Sequence, residues 1–192
     1  MGRDADPSIR EGLLEQVLGY LLEHGLADLS LRPLAEAIGS NARMLIYHFG
    51  SKEQMIIDAL ALAQTKQLEA LAHTPPPKTS AEAELQHLWQ WFSSDAFLPF
   101  SKLLFEVEVQ AFNGNELYLS FSQQTLNGWL QFVQSRFAGC DAVTAHLIVS
   151  TFSGLLLDVV INNDVQKVNA TFDAFAALIG PKLTTVSTSP QD

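Results

Sequence analysis

The sequence predicts an all-α fold with about nine helices, arranged as an N-terminal three-helix head followed by a larger helical body. Apolar residues recur at helical spacing along nearly the whole chain, and no run alternates with the period of two that is typical of a strand. A proline run at 74–78 is the clearest linker. We therefore predict a head at 1–52, a connecting helix at 53–72, a body at 79–185 and a disordered tail at 186–192.

The first helix of the head is predicted to begin at Asp6 and Pro7, because proline is tolerated in a first turn. Gly25 is placed to end it. Apolar residues between these points fall in helical steps and define one buried face: Ile9, Leu13, Leu14, Val17, Leu18, Leu21 and Leu22.

Two short helices are predicted next. Ser30 is a candidate cap for the first of them, and Pro33 is tolerable only in a first turn, so that helix begins near Leu31. Gly39 ends it, and Asn41 is a candidate cap for the second. Two short helices joined by a tight glycine-containing turn and braced by a longer helix form a helix-turn-helix unit.

The second short helix has two predicted faces. The inward face consists of Ala42, Leu45, Ile46 and Phe49, and the outward face consists of Asn41, Arg43, Met44, Tyr47 and His48. Capping-box patterns at Ser51/Gln54 and Thr79/Glu82 predict the starts of two later helices. The body helices are predicted near 80–93, 97–112, 116–137, 142–163 and 168–183.

Composition indicates a globular protein, with 47% hydrophobic and 17% charged residues among 192. No run of about 18 uninterrupted apolar residues is present, so we expect no membrane span. The N-terminal residues lack the apolar region of a secretory signal. Cys140 is the single cysteine and forms neither a disulfide framework nor a metal cluster by itself. A reduced, cytoplasmic location with no cofactor and no metal is expected.

The net charge of −10 disfavours non-specific binding to nucleic acid, which depends on Lys and Arg contacts to phosphate. The charge is unevenly distributed, however. Residues 1–66 hold six basic and nine acidic residues, whereas 67–192 hold five and twelve. Residues 30–53 carry three basic and two acidic residues, a balance of +1. A locally basic face on an acidic protein is therefore possible.

The block from Ser30 to Lys52 resembles the DNA-binding signature of TetR (tetracycline-repressor) family transcriptional regulators. The matching features are Ser30, Leu34-Ala35, Ile38-Gly39, Tyr47-His48-Phe49 and Ser51-Lys52-Glu53. The resemblance extends over Ile9 to Ile57. The sequence departs from the family pattern at Ser40, Arg43 and Ile46, which leaves the operator sequence open.

The resemblance implies a dimeric, cytoplasmic DNA-binding regulator, with phosphate contacts from Tyr47, His48 and Lys52. Arg43 is our candidate for base reading, because a guanidinium can pair bidentately with guanine; a contact to phosphate alone is an equal alternative. Asn41 and Met44 are candidates for base-edge contacts. Ser30 and Arg32 are expected to contact the DNA backbone. The alternative interpretations are a partly buried Tyr47–His48 pair and a merely solvated Lys52.

The body contains most of the aromatic residues. Each one alone is more simply explained by a helical core, but family members are similar in placing an effector cavity within the body helices, and small-molecule pockets are mostly apolar. The candidate lining residues are Trp89, Phe92, Phe105, Phe112, Trp129, Phe132 and Phe152. Asp158 is a candidate polar contact for a cationic ligand, because it lies in an apolar run where a charge needs a partner. Pairing within the fold or exposure to solvent is the competing explanation for Asp158.

The segment from Val143 to Ile161 is apolar almost all round its helix, which indicates burial on several sides. The family resemblance places the last two helices in a four-helix dimer interface, so we assign a homodimer contact to 142–163 and 168–183. A two-fold dimer implies a palindromic operator with recognition helices about 34–36 Å apart or a multiple of it.

The sequence therefore predicts a dimeric repressor, released from a palindromic operator by a small, largely apolar or aromatic ligand. An all-helical enzyme is disfavoured, because the five histidines are scattered and no nucleophile elbow or phosphate loop is present. A helical ligand- or protein-binding module without operator binding is the remaining alternative, and the acidic net charge is its main support.

Overall fold

The computed structural model describes residues 7–74, 80–162 and 164–185, and within them the chain is all-α, as predicted. The nine helices of these residues are α1 (Pro7–His24), α2 (Leu31–Ala37), α3 (Ala42–Phe49), α4 (Lys52–His73), α5 (Ala81–Phe92), α6 (Leu98–Phe112), α7 (Glu116–Arg136), α8 (Ala142–Asn162) and α9 (Val165–Ile179). The prediction of no strand is wrong in one detail. Two-residue strands, β1 (Phe137–Ala138) and β2 (Thr184–Thr185), pair antiparallel with Phe137 opposite Thr185.

The chain divides into two compact units. The head unit contains the described residues up to Gln67 together with Pro99–Gln123, and the body unit contains Leu68–Leu98 and the described residues from Gln124 onward. The helices α4, α6 and α7 each have residues in both units. The domain bounds predicted from the sequence stay a prediction.

The helix starts show which of the predicted caps form. Asn41 caps α3, since its Oδ1 accepts a hydrogen bond from the Met44 amide at 3.0 Å. Ser51 caps α4 by accepting from the Gln54 amide at 3.0 Å. The predicted cap at Ser30 is wrong, because its side chain makes no capping hydrogen bond.

Two further boundaries differ from the sequence prediction. Thr79 lies outside the described residues, and Ser80 caps α5 by accepting from the Ala83 amide. The last helix begins at Val165 rather than at 168, because Asp164 caps it through the Lys167 amide at 3.0 Å. It ends at Ile179, since Gly180 and the proline that follows it form a short 3₁₀ turn.

The core of the head unit is formed where α1, α2, α3 and α4 present apolar residues to one another. Val17, Leu34, Leu45, Met55 and Leu60 are fully buried. The predicted α1 face is largely confirmed, but Ile9 is 53% exposed. Burying these side chains contributes about 1.5–3 kcal/mol each relative to leaving them exposed, so the small head has a firm core.

The body unit is built around α5, α8 and α9, which contact one another. Its core includes a group of aromatic rings and one buried ion pair, in which Arg136 donates to Glu84 Oε1 and to the Leu71 and Thr74 carbonyls. Helix α8 is long and apolar enough to span a membrane by length and composition, with a mean hydropathy of 1.7. Core helices of soluble proteins satisfy the same criterion, so this is weak evidence for a span.

Candidate nucleic-acid interface

The turn between α2 and α3 has the geometry of a helix-turn-helix. Gly39 has a φ of +68°, a left-handed conformation that most side chains rarely adopt, and it reverses the chain between the two helices. Asn41 then starts α3 through its cap. The sequence folds this way because a residue free to take positive φ is followed two positions later by a good N-cap.

The outward face of α3 is formed by four of the five predicted residues. Asn41, Arg43, Met44 and Tyr47 are exposed, with 38% of Met44 and 58% of Tyr47 accessible to solvent. Leu45 and Phe49 are buried, as predicted. The helix therefore presents a guanidinium, a phenol and a carboxamide on the side opposite its core contacts.

Two residues of α3 differ from the predicted pattern. Ile46 was assigned to the inward face but is 39% exposed, because it lies at the edge of the buried stripe that Leu45 and Phe49 define. His48 was assigned to the outward face, yet both of its ring nitrogens are buried and without a hydrogen-bond partner. Its ring lies edge-on to the Tyr47 ring at 5.1 Å between centroids.

Lys52 begins α4 and contacts the loop before α2. Its Nζ donates to the Leu29 carbonyl at 2.5 Å, and the side chain is half-buried. The Lys52 side chain therefore contacts the protein as well as solvent. An ammonium has three donors, so this bond leaves two of them for other partners.

Arg10 is a residue that the sequence analysis missed. It donates through Nε to the His48 carbonyl at 3.4 Å and forms an ion pair with Asp58. Its guanidinium also lies 5.1 Å from the centre of the Phe49 ring. Arg10 therefore ties α1, the end of α3 and α4 together, and it fixes the direction in which α3 points. In the sequence, the one indication of this role is that Arg10 lies in the first half of α1 and outside its apolar face.

Arg32 and Ser30 lie at the start of α2. The Arg32 Nε donates to Glu36 Oε1 at 3.1 Å, and both side chains are highly exposed. Such surface ion pairs contribute little to the stability of the fold, and their side chains exchange readily to other partners. Ser30 has an extended backbone, and its exposed side chain caps nothing. Both residues therefore lie at the surface, where they remain accessible to a ligand.

A family model matches part of the head unit. Residues 18–59, which include all of α2 and α3, match the model for "Bacterial regulatory proteins, tetR family". Over these residues, the chain is therefore similar to bacterial regulatory proteins of the tetR family. The fold of this family supports DNA-binding transcriptional regulation, and tetR-family regulators are not enzymes.

Solved structures show that the fold of the tetR family extends over the rest of the chain. A transcriptional regulator from Rhodococcus sp. is similar with a TM-score of 0.73 and 19% identity, covering 93% of this chain and 99% of its own. A TetR transcription regulator from Haloarcula marismortui has a TM-score of 0.70 and 18% identity over 93% and 99%. The multidrug binding protein EbrR complexed with proflavin has a TM-score of 0.68 and 19% identity over 88% and 99%. No curated protein matches the sequence significantly.

The aromatic residues of the body unit form one connected cluster. Trp89 stacks on Phe172 at 4.8 Å and meets Phe152 edge-on at 5.8 Å. Phe92 meets Phe152 at 5.6 Å and Trp129 at 5.2 Å, also edge-on. Phe132 joins through Trp129 at 6.1 Å. Five of the seven predicted lining residues are therefore brought together, in direct ring contact with one another.

The remaining predicted ligand contacts lie elsewhere. Phe105 and Phe112 belong to the head unit, and Phe112 is 91% exposed, so it lines no enclosed cavity in this conformation. Asp158 is exposed and accepts a hydrogen bond from the Asn162 side chain one turn later. This arrangement agrees with the competing explanation for Asp158, in which the carboxylate reaches solvent and pairs within its own helix.

Proposed function

We propose that the protein is a cytoplasmic, homodimeric repressor that α3 places on a palindromic operator, and that a small aromatic or apolar ligand releases it. The observation that carries the proposal is the exposed polar face of α3 on a tetR-family head. A helix of this kind enters the major groove with its N-terminal residues on base edges.

Arg43, Asn41 and Met44 are the proposed base-reading residues. Arg43 is exposed on the first turn of α3 and has no ion-pair partner among the residues that the structure describes, so its guanidinium is available to guanine. Met44 offers apolar contact to a thymine methyl. Asn41 uses Oδ1 for the helix cap, which leaves its amide hydrogens for an acceptor.

Tyr47, Arg32 and Ser30 are the proposed phosphate contacts. Lys52 also contributes to the DNA-bound geometry, and we assign it chiefly to holding the Leu29 loop in place. His48 would reach phosphate only after its ring turns, since both nitrogens are covered. The phosphate contacts are therefore few, which fits a regulator that depends on a specific site more than on general affinity for DNA.

A dimer through α8 and α9 is supported by an exposed apolar stripe. Val143, Leu147, Leu157 and Ile161 are 79%, 51%, 41% and 70% exposed. Together with Ser150 and Gly154 they follow steps of four and three residues along α8, which is the repeat that packs one helix against another. Leu178 of α9 is a further exposed apolar residue, at 75%. Exposed apolar area of this extent is typical of an interface.

The proposed ligand site is the aromatic cluster of the body unit. Trp129 and Phe132 are half-buried within it, and edge-to-face rings can be separated by a flat guest that restores the same contacts. EbrR, a structural relative, is complexed with proflavin. Proflavin is therefore the first probe: it should raise the unfolding temperature of the wild type and of Phe112→Ala, but not that of Trp129→Ala. Equal increases in the unfolding temperature of all three proteins would contradict the assignment of the ligand site to the aromatic cluster.

The proposed operator is tested by selecting bound duplexes from a random-sequence library with the purified wild-type protein. The expected result is enrichment of a palindrome with two half-sites separated by a whole number of helical turns, about 10–10.5 base pairs each. Enrichment of a single half-site would contradict the dimer. Failure to enrich any sequence at about 50 mM salt would contradict operator binding and favour a helical binding module without an operator.

A further inference from the structure

The head unit contains a half-open cavity that the proposed function does not use. Its volume is about 380 Å³, within the range of small-molecule pockets. The α1–α2 loop contributes Leu26, the start of α4 contributes Glu53 and Ile56, and α6 and α7 contribute Glu106 and Tyr118. The cavity lies outside the aromatic cluster of the body unit, whose rings do not line it.

Tyr118 is the buried polar group of this cavity. Its side chain is only 5% exposed, and it borders the cavity beside Asn115. Burial and the nearby Glu53 charge raise the pKa of Tyr118 to about 12. At neutral pH the hydroxyl is therefore protonated, and its oxygen can accept a hydrogen bond from a ligand in the cavity.

The charges that line the cavity are mainly acidic. Glu53 and Glu106 both border it, and the one lysine there, Lys52, directs its ammonium to the Leu29 carbonyl. The Glu106 carboxylate accepts from the Leu26 amide at 2.5 Å and keeps further lone pairs for another donor. The carboxylates of the cavity therefore offer negatively charged hydrogen-bond acceptors. Leu26, Ile56 and Val109 provide its apolar surface.

We propose that this cavity binds a small organic cation, with a primary ammonium on a compact apolar body. The ammonium would donate to the Glu53 and Glu106 carboxylates and to the Tyr118 hydroxyl, and the apolar body would lie against Leu26 and Ile56. The two carboxylates repel an anion, and a neutral ligand would form no charge-assisted ion pair with them.

The consequence of binding follows from Glu106. This carboxylate holds the Leu26 amide, which lies two residues after α1 ends and five before α2 begins. A cation bound to Glu106 would compete with the Leu26 amide for the same carboxylate and weaken that hydrogen bond. The ligand would therefore act on the loop that precedes the helix-turn-helix, at a site separate from the one we propose for aromatic ligands.

Calorimetric titration of the full chain with benzylamine tests this proposal without any DNA, so its outcome does not depend on operator binding. Benzyl alcohol and benzoate are the matched neutral and anionic probes. We expect saturable binding of benzylamine alone. No saturable binding of benzylamine up to about 10 mM, or equal binding of the alcohol or benzoate, would overturn the proposal.

Two variants locate the site. Glu53→Gln keeps the shape of the side chain and is expected to weaken benzylamine binding about tenfold, and Tyr118→Phe several-fold. Glu23→Gln, which removes one exposed carboxylate from α1 in the same unit, is the control and should bind as the wild type does. Far-UV circular dichroism checks that each variant is folded. Unchanged affinity in both folded site variants would overturn the assignment.

Discussion

Lys52 shows how one side chain joins neighbouring parts of the head. Its ammonium donates to the Leu29 carbonyl, just before α2, while its backbone begins α4. A lysine at a helix N-terminus is unfavourable for the helix dipole. The contact with Leu29 explains why the residue is nevertheless suited to this position.

Replacing Lys52 with Met separates its structural contact from a contact to phosphate. We expect Lys52→Met to lower the free energy of unfolding by about 1–2 kcal/mol, because the Leu29 carbonyl loses a charged donor. The slope of log affinity against log salt should stay as in the wild type. Urea unfolding and salt-dependent titration of the selected operator are the measurements, and a slope smaller by about one would show a direct phosphate contact instead.

Tyr118 gives the head an expected alkaline sensitivity. Its pKa in the folded protein is about 12, above the ordinary value of 10.0, because of burial and the Glu53 charge. Above pH 10 the unfolded chain releases this proton while the folded chain retains it, so stability falls as pH rises from 10 to 12. The loss between pH 9 and 11 is about 1 kcal/mol.

Urea unfolding of the wild type and Tyr118→Phe at pH 9 and pH 11 measures this effect. The loss of stability between the two pH values should be smaller in the variant by that amount, because the variant lacks only the Tyr118 hydroxyl. An equal loss in the two proteins would show that Tyr118 is not responsible.

At the scale of the elements, the direction of α3 depends on contacts outside its own helix. Arg10 of α1 donates to the His48 carbonyl near the end of α3 and pairs with Asp58 of α4. Asp58 also accepts from Gln54 at 2.8 Å. The helix itself has only eight residues, too few to be stable alone in water. Its orientation is therefore set by packing and by this cluster.

Arg10→Met tests the cluster, with Arg32→Met as the matched control. Arg10 is 39% and Asp58 19% exposed, whereas the Arg32–Glu36 pair is 87% and 68% exposed. We expect Arg10→Met to lower the free energy of unfolding by about 1 kcal/mol and Arg32→Met by less than about 0.5 kcal/mol. Chemical denaturation of both variants checks the difference, and equal losses would contradict the role of Arg10.

The helix order and most helix bounds could be predicted from local patterns, because caps, glycine turns and apolar spacing act within a few residues. Asn41 and Ser51 are examples, since the bond that each makes lies three residues away. The start of α9 differs from the prediction because its buried apolar face begins only at Val168, whereas Asp164 caps the helix one turn earlier. In the site, the Arg10–Asp58 and Lys52–Leu29 contacts span 48 and 23 residues, and no local pattern signals them.

At the scale of the whole molecule, α8 carries the proposed contact between two copies. Its stripe of exposed apolar residues includes Leu147, whose side chain is half exposed in the single chain. A charge at this position would disrupt few packing contacts within one copy. Between two copies it would be buried without an ion-pair partner.

Leu147→Glu is expected to shift the protein from dimer to monomer without loss of its helical content. Leu119→Glu, at a similarly exposed position of α7, is the control and should leave the dimer intact. Sedimentation at micromolar concentration measures both. A wild type that sediments as a monomer, or a Leu147→Glu variant that remains dimeric, would contradict the assignment of α8. Loss of the dimer should also weaken operator binding by at least tenfold, because the second half-site is no longer linked.

The most direct test of the account is the affinity of Arg43→Ala for the operator selected from the library, measured at one salt concentration beside the wild type. Lys102→Ala, which removes one exposed positive charge from α6 in the same unit, is the control. If α3 reads the DNA, Arg43→Ala binds at least tenfold more weakly, a difference of about 1.4 kcal/mol, and Lys102→Ala binds like the wild type. Equal affinity of Arg43→Ala and the wild type would contradict the role of α3.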